Sequence, residues 1–530
     1  MTAPSLTGAN LIAGEDWTGG DRTSFAAVNP RTGEPAGPLF WEASDDDVRA
    51  AAAAAETAWE STRSMVHTEH AGLLEQIAAE LERAGDEIVA RADQETAIGS
   101  NRLAGELTRT IGQLLMHAAW VRTGEHLEAT IDLPDSALNP PRPDLRRLLV
   151  PLGPVAVFGA SNFPLAFGVA GGDTASALAA GCPVIAKAHP AHPATCELVG
   201  RAIARAITQA DLPPGTFSLL QGKESRVGGS LVRDPALSAV GFTGSLAGGR
   251  ALYDLAAART RPIPVYAEMG SINPVVISDK AIAERGNQVA SALANSLLLG
   301  TGQFCTSPGL LFVPTGPAGD AFVDQVATEL ASAEPGYLLT TDALRGLTAR
   351  LATTRRHPDV KVLHEGPQTA GPGLRHPIIM LTVPAAALAH DSDLLEEHFG
   401  PASLVVRYAD HNELASALRR IQGSLTFTMH VSNEEAPAFA DIAETMVARV
   451  GRLVWNGYPT GVAVTAAMQH GGPYPATTSS LHTSVGTTAV RRFQRPVAFQ
   501  DAPQDVLPLA LKDGNPLAIA RRINGHITST

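Results

Sequence analysis

The amino-acid sequence predicts an α/β protein, on three observations. Short apolar runs sit beside Gly and Pro, helical patterns lie between them, and the last part of the chain is extended and arginine-rich. Strands buried on both faces of a parallel sheet read as continuous apolar runs, and each needs a crossover to reach the next. Residues 155–158, 183–186, 217–220 and 239–242 are such runs, with helical spacing over 171–180 and 194–210 between them. A second set follows: a strand at 274–277, a helix at 281–298, a strand at 310–313 and a helix at 318–333. Upstream, residues 45–125 are rich in Ala, Glu, Leu and Arg, and Leu73, Leu74, Ile77, Leu81 and Ile88 form an apolar helical stripe. Residues 146–150 and 489–499 predict exposed, extended strands carrying Arg146, Arg147, Arg491, Arg492 and Arg495. Exposed sheet edges need a partner to cover them, which predicts oligomerisation strands.

A chain of 530 residues exceeds one simple core, so two or three domains are expected. The balance of 45% hydrophobic and 18% charged residues is that of a globular protein. With 53 acidic against 40 basic residues the net charge is −13, which disfavours nucleic acid as a partner. An anionic cofactor would need local positive charge set against that field. Residues 1–17 lack a basic segment followed by an apolar run, so no signal peptide is expected. The apolar stretch 155–172 is broken by Ser161, Asn162 and Pro164 and makes a poor membrane span. The three cysteines, Cys182, Cys196 and Cys305, are far apart, with neither a disulfide framework nor metal-type spacing. A reducing, cytoplasmic setting and no bound metal are the expectations.

Three residues offer chemistry. Cys305 follows a long helical pattern within Gly302-Gln-Phe-Cys-Thr-Ser-Pro308, a small-residue turn where a backbone N–H can face a reacting oxygen. It reads either as a nucleophile or as a small buried hydrophobe. A free thiol ionises at roughly pH 8.5, so a nucleophile here needs a base or a positive environment. Glu268, in Ala267-Glu-Met-Gly-Ser-Ile-Asn-Pro274, lies between apolar segments at a strand end. Partial burial there would raise its pKa and suit it to general-base work; capping the following turn is the alternative. Asn162 follows a strand and precedes a helix, as either an oxyanion donor or a helix N-cap.

Six segments together resemble the aldehyde dehydrogenase superfamily, from about Leu11 to the C-terminus. They are Ser161-Asn-Phe-Pro164, Gly241-Phe-Thr-Gly-Ser245, Glu268-Met-Gly270, Gln303-Phe-Cys305, Glu397-His-Phe-Gly-Pro401 and Leu453-Val-Trp-Asn456. Each is weak alone; their order and spacing are specific. The resemblance implies a three-part fold: a Rossmann-like cofactor domain (1–130 and 150–267), an α/β catalytic domain (268–478) and a small β oligomerisation element (131–149 and 479–530). It also implies oxidation of an aldehyde to a carboxylate. Cys305 would attack the aldehyde, and the Asn162 amide with the Cys305 N–H would hold the oxyanion. Hydride would leave for a nicotinamide, and Glu268 would activate water to hydrolyse the thioester.

The resemblance also implies a cofactor site. Gly244-Ser-Leu-Ala-Gly-Gly249 would open a helix whose N-terminus, with Gly244, Ser245 and Gly249, faces a pyrophosphate. Glu397 and Phe399 match residues that hold the nicotinamide ribose and ring, and Lys187 matches an adenosine-ribose lysine. NAD-preferring members place a glutamate three residues after that lysine; here the position is Pro190. Losing that acid removes a repulsion of roughly 4 kcal/mol against a 2′-phosphate about 4 Å away at an effective dielectric near 20. The expected cofactor is therefore NADP, with NAD possible. Arg226 would be a second cation, although family members carry theirs one position earlier, at Ser225 here. His189 reads either as a further contact to the phosphate or as a solvated loop histidine.

Met468-Gln-His-Gly-Gly-Pro-Tyr-Pro-Ala476, Arg491-Arg-Phe-Gln-Arg-Pro496 and residues 507–516 are similar to the α-ketoglutaric semialdehyde (2,5-dioxovalerate) dehydrogenase branch, close to NADP-dependent long-chain fatty-aldehyde enzymes. His470 would approach the active site as a proton relay, or else serve as a loop histidine bonded to backbone. Phe163, Phe167, Phe304, Tyr458 and Tyr474 would line an apolar entry, or else serve as packing aromatics. A diacid semialdehyde would need a cationic anchor that the sequence does not single out. The competing readings are a fatty- or broad-range aldehyde dehydrogenase, a coenzyme A-acylating variant that an intact Glu268 disfavours, and a non-catalytic structural or binding protein on the same fold. The expected partners are a small-molecule aldehyde and other copies of this chain, as homodimer or homotetramer, with no membrane.

Overall fold

The computed structural model describes residues 6–18, 23–367 and 371–528; the start of the 1–17 segment, residues 1–5, lies outside them. Two seven-stranded sheets and one five-stranded sheet organise the chain. Five parallel strands make the body of the first: Val155–Phe158, Val184–Lys187, Phe217–Leu220, Ala239–Thr243 and Val265–Glu268. Across the sheet the fifth of these comes first, followed by the fourth, first, second and third, with Asn10–Ile12 and Glu15–Trp17 added antiparallel beyond the third. The chain order reverses between Val155–Phe158 and Ala239–Thr243, and a doubly wound sheet binds its ligand outside the carboxyl ends at such a switch point.

The apolar character of these runs follows from burial on both faces. All four residues of Val155–Phe158 and of Phe217–Leu220 are buried. Helices Gly172–Ala180 and Pro193–Gln209 supply crossovers, and the helices Asp45–Thr62, His67–Arg83, Gly85–Thr96 and Ser100–Arg122 lie upstream. The stripe from Leu73 to Ile88 lies wholly in the first core.

The second sheet runs Lys361–Glu365, Ile379–Pro384, Ala402–Tyr408, Leu310–Pro314, Val275–Ile277, Ser424–His430 and Val450–Trp455 across its width. Only its first strand is antiparallel. The third sheet joins Gln494–Gln500, Leu145–Pro151, Thr130–Asp132, Arg521–Ile523 and His526–Thr528.

The tail departs from expectation in two ways. Thr487–Phe493 is a 3₁₀ segment, so extended structure begins only at Gln494. Arg492 and Arg146 are buried instead of exposed. Arg492 reaches Asp173 at 2.7 Å and the Ser176 hydroxyl at 3.0 Å, which turns residues 489–493 inward. Arg146 bonds Asp144, Asp513 and the Leu511 carbonyl. Among the described residues no helix is long and apolar enough to cross a membrane.

Candidate active site

Cys305 stands on a turn that two neighbouring segments hold. Helix Asp279–Leu298 runs into the 3₁₀ segment Leu299–Gly302, where Gly300, Thr301 and Gly302 take φ of 58°, 60° and 69°. A Cβ on Gly302 would lie 2.0 Å from the Gly400 carbonyl oxygen, so only glycine lets the turn close on that backbone. Asn273 Nδ2 donates to the Cys305 and Ser307 carbonyls at 2.8 and 3.0 Å. The Gln303 side chain donates to the Tyr337 carbonyl and accepts from Leu339 N–H. Cys305 is half-buried on this scaffold, whereas Cys182 and Cys196 are fully enclosed.

Glu268 ends its strand, with its backbone fixed by the Gly244 N–H at 3.0 Å. His470 Nε2 lies 3.0 Å from Glu268 Oε1 and 3.6 Å from Cys305 Sγ. The Ser484 hydroxyl donates to the other carboxylate oxygen. Donor atoms of Glu268, Cys305 and His470 all fall within 4.8 Å of one another. Burial would raise the Glu268 pKa, but the His470, Ser484 and Cys305 contacts outweigh it and hold the carboxyl below its usual value. That corrects the sequence expectation of a raised pKa: the site supplies partners for the anion. Burial and the neighbouring Glu268 charge push the Cys305 thiol well above its usual value. Cys305 therefore needs a base to ionise, and the Glu268 carboxylate lies beside it.

His470 is buried and held by its own backbone, which donates to Thr483 Oγ1 and accepts from Ser484 N–H. Asn162 comes off the end of Val155–Phe158, and its Nδ2 donates to the Gln303 carbonyl at 2.8 Å. An amide nitrogen carries two hydrogens, so one remains for an incoming oxygen. The Cys305 backbone N–H has no protein acceptor among the described residues. The first sheet thus contributes Asn162 and Glu268, and the turn entering the second contributes Cys305.

The segments expected to hold a dinucleotide lie beside the first sheet. Helix Leu246–Ala257 begins at an exposed Ser245, whose side chain accepts from Gly248 N–H at 3.2 Å. A Cβ on Gly249 would stand 2.6 Å from Met269 Sδ, so the glycine lets this helix lie directly on the strand. A Cβ on Gly270 would fall 2.4 Å from Glu397 Oε2 and displace that carboxyl. Burial pushes the Glu397 pKa up to about 8. Phe399, two residues on, is half-buried. The open helix end and the close glycine approaches fit a nicotinamide dinucleotide.

Lys187 closes its strand, with Nζ on the Gly222 carbonyl, and burial lowers its pKa to about 8. Arg226 lies nearby but is engaged, bonding Asp45 at 2.9 Å and the Ala43 carbonyl at 2.7 Å. His189 is not a solvated loop histidine. Its ring stacks on His192 at 5.3 Å, its Nδ1 accepts from Ala191 N–H, and burial holds its pKa far below the usual value.

Sequence reasoning missed Ser484 and two arginines. Arg102 and Arg109, on Ser100–Arg122, stand over the Phe163, Phe167 and Phe304 rings. Their helical spacing resembles that of any surface helix, so no local pattern set them apart. Tyr474, expected to line the entry, is instead exposed.

Comparison with known proteins agrees with this geometry. A model of the aldehyde dehydrogenase family matches residues 17–495. Alpha-ketoglutaric semialdehyde dehydrogenase 2 of Azospirillum brasilense is 47% identical, covering 99% of each chain. Alpha-ketoglutaric semialdehyde dehydrogenase of Acinetobacter baylyi is 41% identical, over 95% of this chain and 96% of that one. Among solved structures, lactaldehyde dehydrogenase from Escherichia coli superposes with a TM-score of 0.80 at 22% identity, covering 93% of this chain and 98% of that one. A 1-pyrroline-5-carboxylate dehydrogenase from Thermus with bound NAD gives a TM-score of 0.79 at 22% identity, covering 93% of this chain and 92% of that one. The chain belongs to the aldehyde dehydrogenase family, oxidoreductases that act on the aldehyde group with a nicotinamide cofactor.

Proposed function

We propose that the chain oxidises α-ketoglutaric semialdehyde to 2-oxoglutarate with NADP, Cys305 being the nucleophile. The observation that carries this reading is the meeting of Cys305, Glu268 and His470 within 4.8 Å beside Asn162, in a chain 47% identical to a relative of that name. One nitrogen, His470 Nε2, faces both the carboxylate and the sulfur. Glu268 Oε1 accepts no hydrogen bond, so it takes the thiol proton, and His470 beside both atoms relays that proton or orients the carboxylate.

The thiolate then adds to the aldehyde carbon, and Asn162 Nδ2 with the Cys305 N–H hold the resulting oxyanion. The cofactor, when bound by Gly244, Ser245, Gly249, Glu397, Phe399 and Lys187, supplies the hydride acceptor that makes the thioester accessible. Glu268, a carboxylate again once it has released the thiol proton to solvent, draws a proton from water, which attacks the thioester; the carboxylate product leaves and the Cys305 sulfur is freed to take up a proton.

NADP is supported by Pro190, which places no acid after Lys187, and by the Lys187 ammonium at the strand end. Arg226, tied to Asp45, adds little. Glu42, which caps the Lys223 and Glu224 N–H groups beside Lys187, opposes a phosphate and keeps NAD usable. A homo-oligomer is supported by the third sheet, where Ile527 on its last strand is 71% exposed. The apolar ring cluster of Phe163, Phe167 and Phe304 favours a second reading, a long-chain or broad-range aldehyde enzyme. Steady-state rates with α-ketoglutaric semialdehyde, short aliphatic and long-chain aldehydes, each with NADP and NAD, decide the matter. The highest kcat/KM is expected for the semialdehyde with NADP; a long-chain aldehyde leading the series would overturn the substrate.

A further inference from the structure

Helix Ser100–Arg122 is locked to the segment after Asn162 by Glu106, whose Oε1 accepts from the Leu165 and Ala166 N–H groups at 2.8 and 3.0 Å. One turn further along, on the same face, is Arg109. Its guanidinium carbon stands 5.5 Å from the Phe167 ring centre and 6.0 Å from that of Phe163. Phe167 in turn lies 6.1 Å from the His470 ring. Arg109 is thus one aromatic ring away from the imidazole that touches Cys305 and Glu268, and its charge is felt by both.

Its Nε and Nη2 are buried, and neither has a hydrogen-bond partner. Glu106 acts on Arg109 by charge but accepts from neither atom; a buried donor left unmade is costly, more so on a charged group, so these two N–H groups call for an acceptor. The neighbouring arginines are already committed. Arg102 donates to the Asn162 carbonyl, and Arg452 donates to the Pro459 and Gly461 carbonyls through both terminal nitrogens, with only its Nε unbonded. The rings that hold Arg109 from the side leave its fork of N–H groups unmatched, and a carboxylate matches that fork bidentately.

We propose that Arg109 anchors the carboxylate of an aldehyde-acid substrate, selecting short aldehydes that carry an acid over neutral ones. This rests on the substrate reading above and names the residue that enforces it. With the acid held at Arg109 and the aldehyde carbon at Cys305, the molecule is fixed at both ends and the Phe163 and Phe167 rings cover its middle. Arg109 touches no reacting atom, so its effect falls on the choice of substrate.

The test compares kcat/KM for α-ketoglutaric semialdehyde and for pentanal in the natural enzyme, Arg109→Met and Arg109→Lys. The natural enzyme is expected to favour the acid aldehyde strongly. Arg109→Met should cut the ratio of the two constants about 100-fold, mainly through the KM of the acid, by loss of a charge-assisted pair. Arg109→Lys should recover part of that ratio, because the charge survives without the fork. Inhibition by glutarate, competitive with the aldehyde, should weaken in parallel, a binding readout that needs no turnover of the acid substrate. A preference that persists in Arg109→Met would overturn the anchor and leave the substrate reading standing. A natural enzyme with no preference for the acid would overturn both. Should Arg109→Met not fold, Arg109→Lys carries the test: an unchanged ratio together with unchanged glutarate inhibition would end the proposal.

Discussion

Replacing Glu268 by Gln keeps the shape of the pocket and removes both of its base functions. Acylation should slow, deacylation should slow more, and steady-state kcat should fall by about 10²–10⁴-fold, the usual yield of a positioned base. Stopped-flow NADPH formation checks this by showing a burst followed by a slow phase. His470→Phe tests the orienting role through pH. His470 stabilises the Glu268 carboxylate, so its loss raises that pKa and the acid limb of the kcat/KM profile moves to higher pH. A profile that does not move would assign His470 to packing alone. Lys187 titrates at about 8 in the free protein, and its positive form attracts the 2′-phosphate. KM for NADP should therefore rise as pH climbs through about 8 while KM for NAD stays level, and parallel curves would remove Lys187 from the phosphate site. Cys305, Glu268 and Asn162 were legible as a group because the segments that carry them, each weak alone, stand in a specific order and spacing. Ser484 and Arg109 were not, since what sets them apart is a partner, or a missing partner, far away in the chain.

At the scale of elements, the cofactor helix rests on one close approach. Gly249→Ala puts a methyl group 2.6 Å from Met269 Sδ, so the helix must lift from its strand or Met269 must move. Overpacking of this kind costs roughly 1–3 kcal/mol. If the helix N-terminus faces the dinucleotide as proposed, affinity measured by calorimetry should fall along with thermal stability. Full affinity in Gly249→Ala would show that the helix need not lie so close. The alternation of apolar runs and helical stretches was readable because strands buried on both faces leave no polar face to disguise them. Residues 489–493 were misread as strand because their inward turn depends on the Arg492–Asp173 pair, whose members are 319 residues apart. Arginine on an apolar segment reads locally as an exposed edge, and only the fold reveals a buried acid waiting for it.

At the scale of the molecule, chain from the middle and from the end is stitched together by Arg146, which joins Leu145–Pro151 to Leu511 and Asp513. Arg146→Met strips several charge-assisted bonds and should cost about 2–3 kcal/mol. Sedimentation velocity is expected to show smaller assemblies while the far-ultraviolet spectrum stays native; unchanged assembly would separate this sheet from oligomerisation. The central claim is that the first two sheets bring the Cys305 sulfur, the Glu268 carboxylate and the Asn162 amide to one cleft facing a dinucleotide. Intact-mass and peptide spectrometry of Glu268→Gln, quenched after mixing with α-ketoglutaric semialdehyde and NADP, tests it most directly. The account predicts a single acyl adduct on the peptide containing Cys305, absent when the cofactor is omitted. An adduct on another residue, or full turnover in Cys305→Ala, would contradict it.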